Sequence, residues 1–199
     1  MHALKQYARG LAAAALATLV CAAVAAPASA HPVHVTEGTL TYLPSSKLIA
    51  KLTKLGLALE GERLPIAGGD FSFHPLNDGA GGEILTAGSI TISGAGKKVV
   101  FGNPALGVPP AAKGSAPSGG ELTTLIGGKR VPLATLLVAG YAPYSPAPGT
   151  PARGFAGVAG RLSPAAAKLL NERFGVSAFK AGLPFGQLAV RCMTAEEAH

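Results

Sequence analysis

The 199-residue sequence is poor in the side chains on which catalytic centres and nucleic-acid surfaces are usually built. It has no Trp, 6% aromatic and 14% charged residues, and two Cys. The only aspartates are Asp70 and Asp78, and no Ser sits in a Gly-x-Ser-x-Gly elbow, so the hydrolase templates fail. Glu60 and Glu62 share one strand phase, but two carboxylates without a pocket are not an acid/base pair. Asn77-Asp78-Gly79 reads as a turn, because a Ca²⁺ loop needs ligands at alternating positions followed by a Glu. There is no phosphate loop, zinc spacing or haem-attachment Cys pair. The basic pairs, Lys97-Lys98 and Lys129-Arg130, have no interleaved aromatics and read as solvated loop ends, which argues against a nucleic-acid partner.

The one long apolar run is at the start. Lys5 and Arg9 precede an apolar stretch from Leu11 to Ala25, and Ala28-Ser29-Ala30 supplies small residues for signal peptidase, so residues 1–30 read as a secretion leader. A lipoprotein reading of Cys21 fails because Val20 stands where a small residue is wanted. The run is short for a membrane span, and no later segment replaces it. The expected mature chain, residues 31–199, is secreted and large enough for one domain. It carries 15 basic and 10 acidic residues, a net charge of +5. Cys192 is then its lone thiol, either buried or joining two chains in a disulfide-linked dimer.

Short apolar runs separated by Gly and Pro outnumber helical stripes, which predicts a mainly β, single β-sandwich-like domain with two short amphipathic helices. Strands are expected over 33–43, 57–60, 70–74, 84–92, 97–101, 121–126, 130–139, 155–162 and 187–192. Alternation such as Leu40/Tyr42, Phe71/Phe73 and Ile90/Ile92 gives each strand one core face. Gly127-Gly128 marks a hairpin, and Pro132 pushes the strand after it toward a sheet edge. The Pro- and Gly-rich stretches 103–120 and 142–154 read as loops.

The two helices share a grammar. Ser45 or Ser46 caps a turn whose Leu48, Ile49, Leu52 and Leu55 form one face, ended by Gly56. Ser163 caps the other, with Pro164 at its first position, a stripe of Ala166, Leu169, Leu170 and Phe174, and Gly175 as its stop. Each follows a Gly-x-Leu strand, Gly38-Thr39-Leu40 or Gly160-Arg161-Leu162. We read this as two halves of one core closing on each other, a decayed repeat.

The segments Gly88-Ser-Ile-Thr-Ile-Ser-Gly94, Val99-Val-Phe-Gly-Asn-Pro104 and Gly120-Glu-Leu-Thr-Thr-Leu-Ile-Gly-Gly128, with the closing helix from Gly160 and Phe179-Lys-Ala-Gly-Leu-Pro184, resemble the secreted HtaA-type domain family of actinobacteria. The resemblance covers about half of the mature chain. It implies an exported β-sandwich with short helices, and a haem-binding surface role in the best-known members. Haem-binding members carry a Trp-bearing strand leading into an aromatic helix with a ligating Tyr. Here that place reads Gly38-Thr-Leu-Thr-Tyr-Leu-Pro-Ser-Ser-Lys-Leu-Ile49, so Tyr42 falls on the strand and the ligand does not carry over.

Candidate ligand-binding residues are Tyr42, His74, Tyr141 and Tyr144, because a haem site needs His and Tyr converging on one pocket. The bland alternatives are a strand-end His74 bonded to a loop, and tyrosines packed on their own prolines. The alternative function is copper binding. If His31 is the mature N-terminus, its amine and imidazole chelate Cu(II), with His34 or His74 completing a histidine brace. A frayed terminus that binds nothing is the competing reading. The function expected is that of a secreted, non-catalytic envelope or cell-surface binding protein for a small-molecule or envelope ligand, with haem or copper as the cofactors to test.

Overall fold

Alternation of apolar and polar residues organises most of the described residues into strands. A computed structural model describes residues 32–73, 81–109, 119–138, 142–144 and 152–195, the short 142–144 segment by its backbone alone. The strands are β1 (Val33–Pro44), β2 (Ala58–Glu60), β3 (Arg63–Ser72), β4 (Gly81–Thr86), β5 (Ser89–Gly94), β6 (Lys97–Val108), β7 (Gly120–Ile126), β8 (Lys129–Leu137), β9 (Ala142–Tyr144), β10 (Ala152–Leu162) and β11 (Pro184–Thr194). The helices are α1 (Ser46–Lys54) and α2 (Pro164–Phe174). The expected leader, residues 1–30, lies outside the described residues. None of the described helices is long and apolar enough to cross a membrane.

The sandwich-like, mainly β domain with two short helices is what is observed. All pairings are antiparallel, in the order β2-β5-β6-β4-β3-β1-β11-β10-β8-β7, with β9 beside β10. Because β6 also pairs β7, the hydrogen-bonded circuit closes on itself through β1, β3, β4, β6, β7, β8, β10 and β11. Closure removes the exposed strand edges that otherwise invite aggregation. Inward-facing Leu40, Tyr42, Ile84, Phe101, Leu106, Leu122, Leu136 and Phe185 fill the interior. Burial of each such side chain contributes about 1.5–3 kcal/mol.

Four strand readings are corrected. β3 begins at Arg63, not at residue 70, and the stretch 84–92 is two strands parted at Gly88, whose φ of +93° turns the chain. β6 runs straight through Asn103-Pro104, read from the sequence as the start of a loop. Pro104 lies between the segment that pairs β5 (97–102) and the one that pairs β4 (105–108), so its missing N–H is not wanted by either ladder. Asn103 adopts φ +39° there and donates its N–H to the Gly88 carbonyl at 2.7 Å. β8 is no edge strand, since it pairs both β7 and β10. Pro132 is tolerated because it sits at a bulge, before the segment that pairs β10 begins at Ala134.

The helix caps repeat in detail. The Ser45 hydroxyl accepts from Leu48 N–H at 3.1 Å and donates to Pro184 O at 2.5 Å, while its own N–H reaches Phe185 O at 3.0 Å. The Ser163 hydroxyl accepts from Ala166 N–H at 3.0 Å and donates to Pro132 O at 2.6 Å, and its N–H reaches Leu133 O at 3.0 Å. β1 and β10 both run antiparallel to β11, so they are parallel to each other and both helices sit at one end of the closed sheet. The hairpin Gly127-Gly128 is present, with φ of +57° and +79°. Ile49 leaves the expected apolar face of α1 and is 41% exposed, whereas Leu48 and Leu52 are buried.

Cys192 is buried in β11. The thiol is 2% exposed and lies 3.6 Å from the Arg153 carbonyl, so a bond to a second chain would require β11 to open.

Candidate functional site

The outward phases of β1, β11, β10 and β8 assemble a surface that no single strand shows. Leu43 pairs Gln187, Gln187 pairs Ala159, and Ala159 pairs Leu137, which makes one row across four strands. At about 4.8 Å per strand the row is about 14 Å long. Leu43 is 54% and Leu137 45% exposed, the two most exposed large aliphatics of the described residues, and both line the same depression of about 390 Å³. Ser45 and Ser46 at the start of α1 wall it at one end. Arg161, two residues beyond Ala159 on the same face, is the single charged residue of the lining among the described residues. Its Nη1 donates to Gly182 O at 3.2 Å, which holds the guanidinium at the rim with donors to spare.

Two glycines lie under the row, and the side chains they lack would point inward into the core. Gly186 pairs Pro44 on one side and Gly160 on the other. A Cβ on Gly186 would stand 2.6 Å from Tyr42 Cε2 and 3.0 Å from Pro44 Cα. Tyr42 therefore lies directly beneath this surface, on its inner side.

That position turns Tyr42 to the interior, away from the groove. The side chain is fully buried, its hydroxyl donates to Phe185 O at 2.8 Å, and its ring stacks on Phe185 with centroids 4.4 Å apart. Burial raises its pKa far above the ordinary tyrosine range, with the Glu62 carboxylate adding to the rise. His34 is exposed near the start of β1, its Nδ1 3.0 Å from Asp70 Oδ1. Eight residues of strand, about 25 Å, separate His34 from Tyr42, so these two do not share a pocket. Tyr144 lies on β9, where it pairs Gly154. His31, His74 and Tyr141 lie outside the described residues. Among the described residues no group of three or more His, Cys, Asp and Glu is placed to hold a metal.

No protein-family model and no curated protein matches the chain. A solved structure does: the C-terminal domain of HtaA from Corynebacterium glutamicum superposes with a TM-score of 0.51 at 15% identity, covering 82% of this chain and 99% of that one. The fold is HtaA-like. Haem, which the sequence resemblance raised with its ligand motif missing, requires an axial ligand to iron. Among the described residues the lining of this groove, which includes Leu43, Ser45, Ser46, Leu137, Arg161 and Gln187, supplies no His, Tyr, Cys or Met.

Sequence reasoning missed Leu43, Leu137 and Arg161. A signal was present for the two leucines. Leu43 is out of phase with the buried pair Leu40 and Tyr42, and Leu137 follows the buried Leu136, so each is apolar where alternation calls for a polar residue.

Proposed function

We propose that this chain is an exported, non-catalytic binding domain that holds its ligand in the outer groove across β1, β11, β10 and β8. The observation that carries this reading is the convergence of the two most exposed aliphatics, Leu43 and Leu137, in one depression of about 390 Å³. That volume lies within the range of small-molecule sites, and solvent-facing leucines in a concavity mark binding surfaces. The HtaA-like fold supports a cell-surface or envelope setting, as does the leader read from residues 1–30. Among the described residues the lining offers no nucleophile paired with a base, which supports binding rather than turnover.

The test uses a neutral apolar dye. Nile red fluorescence should rise on mixing with the mature protein, and Leu137→Asp, an outward-facing change, should abolish the rise while leaving the unfolding midpoint within a few degrees. An undiminished signal in Leu137→Asp would remove the groove from consideration.

A further inference from the structure

Resting on that reading of the groove, we propose that its ligand is a small amphiphilic anion: an apolar body lying along the Leu43–Leu137 row, ending in a carboxylate received by Arg161. Two features of the lining point the same way. The row itself is apolar or uncharged, with Leu43, Gln187, Ala159 and Leu137 in register, so it covers hydrocarbon without desolvating a charge. Among the described residues the rim then supplies one cation and no anion. A guanidinium presents a planar fork that matches a carboxylate with two parallel hydrogen bonds, and one bond to Gly182 O leaves that fork unfilled.

The position of Arg161 sets the orientation of the ligand. It is two residues from Ala159 on the same face of β10, toward the end where Ser45 and Ser46 open α1. The head group therefore lies at the helix end, and the apolar body lies over Ala159 and along the row. The row of about 14 Å accommodates a medium-length chain and no more. A neutral hydrocarbon leaves Arg161 unused, and a cationic amphiphile meets it with like charge.

Titration of the ¹⁵N-labelled mature protein with sodium octanoate and with octan-1-ol, both below aggregation, separates head-group recognition from hydrophobic contact. The carboxylate should shift the amides of Ser46, Leu137, Ala159 and Arg161 and bind about tenfold more tightly than the alcohol. From hexanoate to decanoate, affinity should rise about twofold per methylene, since an open groove covers only part of each group. Arg161→Gln should erase the preference for carboxylate and keep alcohol binding, and Arg161→Lys should retain part of it. Equal affinities for octanoate and octan-1-ol in the wild type would overturn the anion inference and leave the groove standing. No shift with either probe would overturn both. Shifts confined to another surface, or a sedimentation mass showing this face buried between two copies, would likewise refute the assignment.

Discussion

Replacing Tyr42 by Phe distinguishes a structural tyrosine from a ligand with one missing atom. The hydroxyl makes a single hydrogen bond, to Phe185 O at 2.8 Å. A net neutral bond of this kind contributes about 1 kcal/mol, and an orphaned buried carbonyl adds about 1–3 kcal/mol to the loss. Here the carbonyl is not orphaned, because the Ser45 N–H still reaches Phe185 O at 3.0 Å. The cost should therefore be about 1 kcal/mol, a fall of about 2–4 °C in melting temperature for a domain of this size. The ring keeps its stack on Phe185, so Tyr42→Ala should cost far more, about 3–5 kcal/mol. Urea unfolding followed by far-ultraviolet dichroism measures both, with an unchanged denaturant slope as the control. A Tyr42→Phe protein as stable as the parent but altered in haem binding would refute the burial argument. So would a loss as large as that of Tyr42→Ala.

Ser45→Ala and Ser163→Ala should each lower stability by about 1–2 kcal/mol in urea, and by similar amounts, because each hydroxyl caps a helix and donates to a strand carbonyl. Cys192 should react with a thiol reagent at pH 8 only after denaturant is added, since burial pushes its pKa up to about 11 against the nearby Arg153. The same thiol makes stability fall as pH rises from 9 toward 11: the unfolded chain loses the proton first, so stability present below pH 9 is lost above it. Gly186→Ala should prevent expression of a folded protein or lower the melting temperature by more than 10 °C, because its Cβ would meet Tyr42 and the backbone of Pro44.

Local chemistry was legible where the partners of a residue lie within a few positions. Ser45, Ser163 and Gly175 announce helix ends because capping is a matter of three or four residues, and Gly127-Gly128 announces its hairpin for the same reason. Asn103-Pro104 was not legible as strand, because what makes Pro tolerable there is a change of partner from β5 to β4, decided by residues elsewhere in the chain. Tyr42 could be placed on the core side from its phase with Leu40 alone. Considering it as a ligand set residue type above phase. The groove was the least legible feature, since alternation shows Leu43 and Leu137 to be outward but only the order β1-β11-β10-β8 makes them neighbours.

The two Ser-capped devices meet at this groove, and their differences build it. Aligned on Ser45 and Ser163, Tyr42 corresponds to Gly160 and Leu43 to Arg161. Inside, the large member faces the small one: the Tyr42 ring stacks on Phe185, and Phe185 Cδ1 lies 3.6 Å from where a Cβ on Gly160 would be. A second bulky residue at 160 would have to displace Phe185, and with it the carbonyl that holds both Tyr42 and Ser45. Outside, the equivalent positions supply opposite chemistry, a leucine from the first device and a guanidinium from the second, on one lining. Identical residues at 43 and 161 would give a groove that is wholly apolar or doubly charged. The differences between the two strand-to-helix devices thus account at once for the packing beneath the surface and for the amphiphilic character of the surface itself.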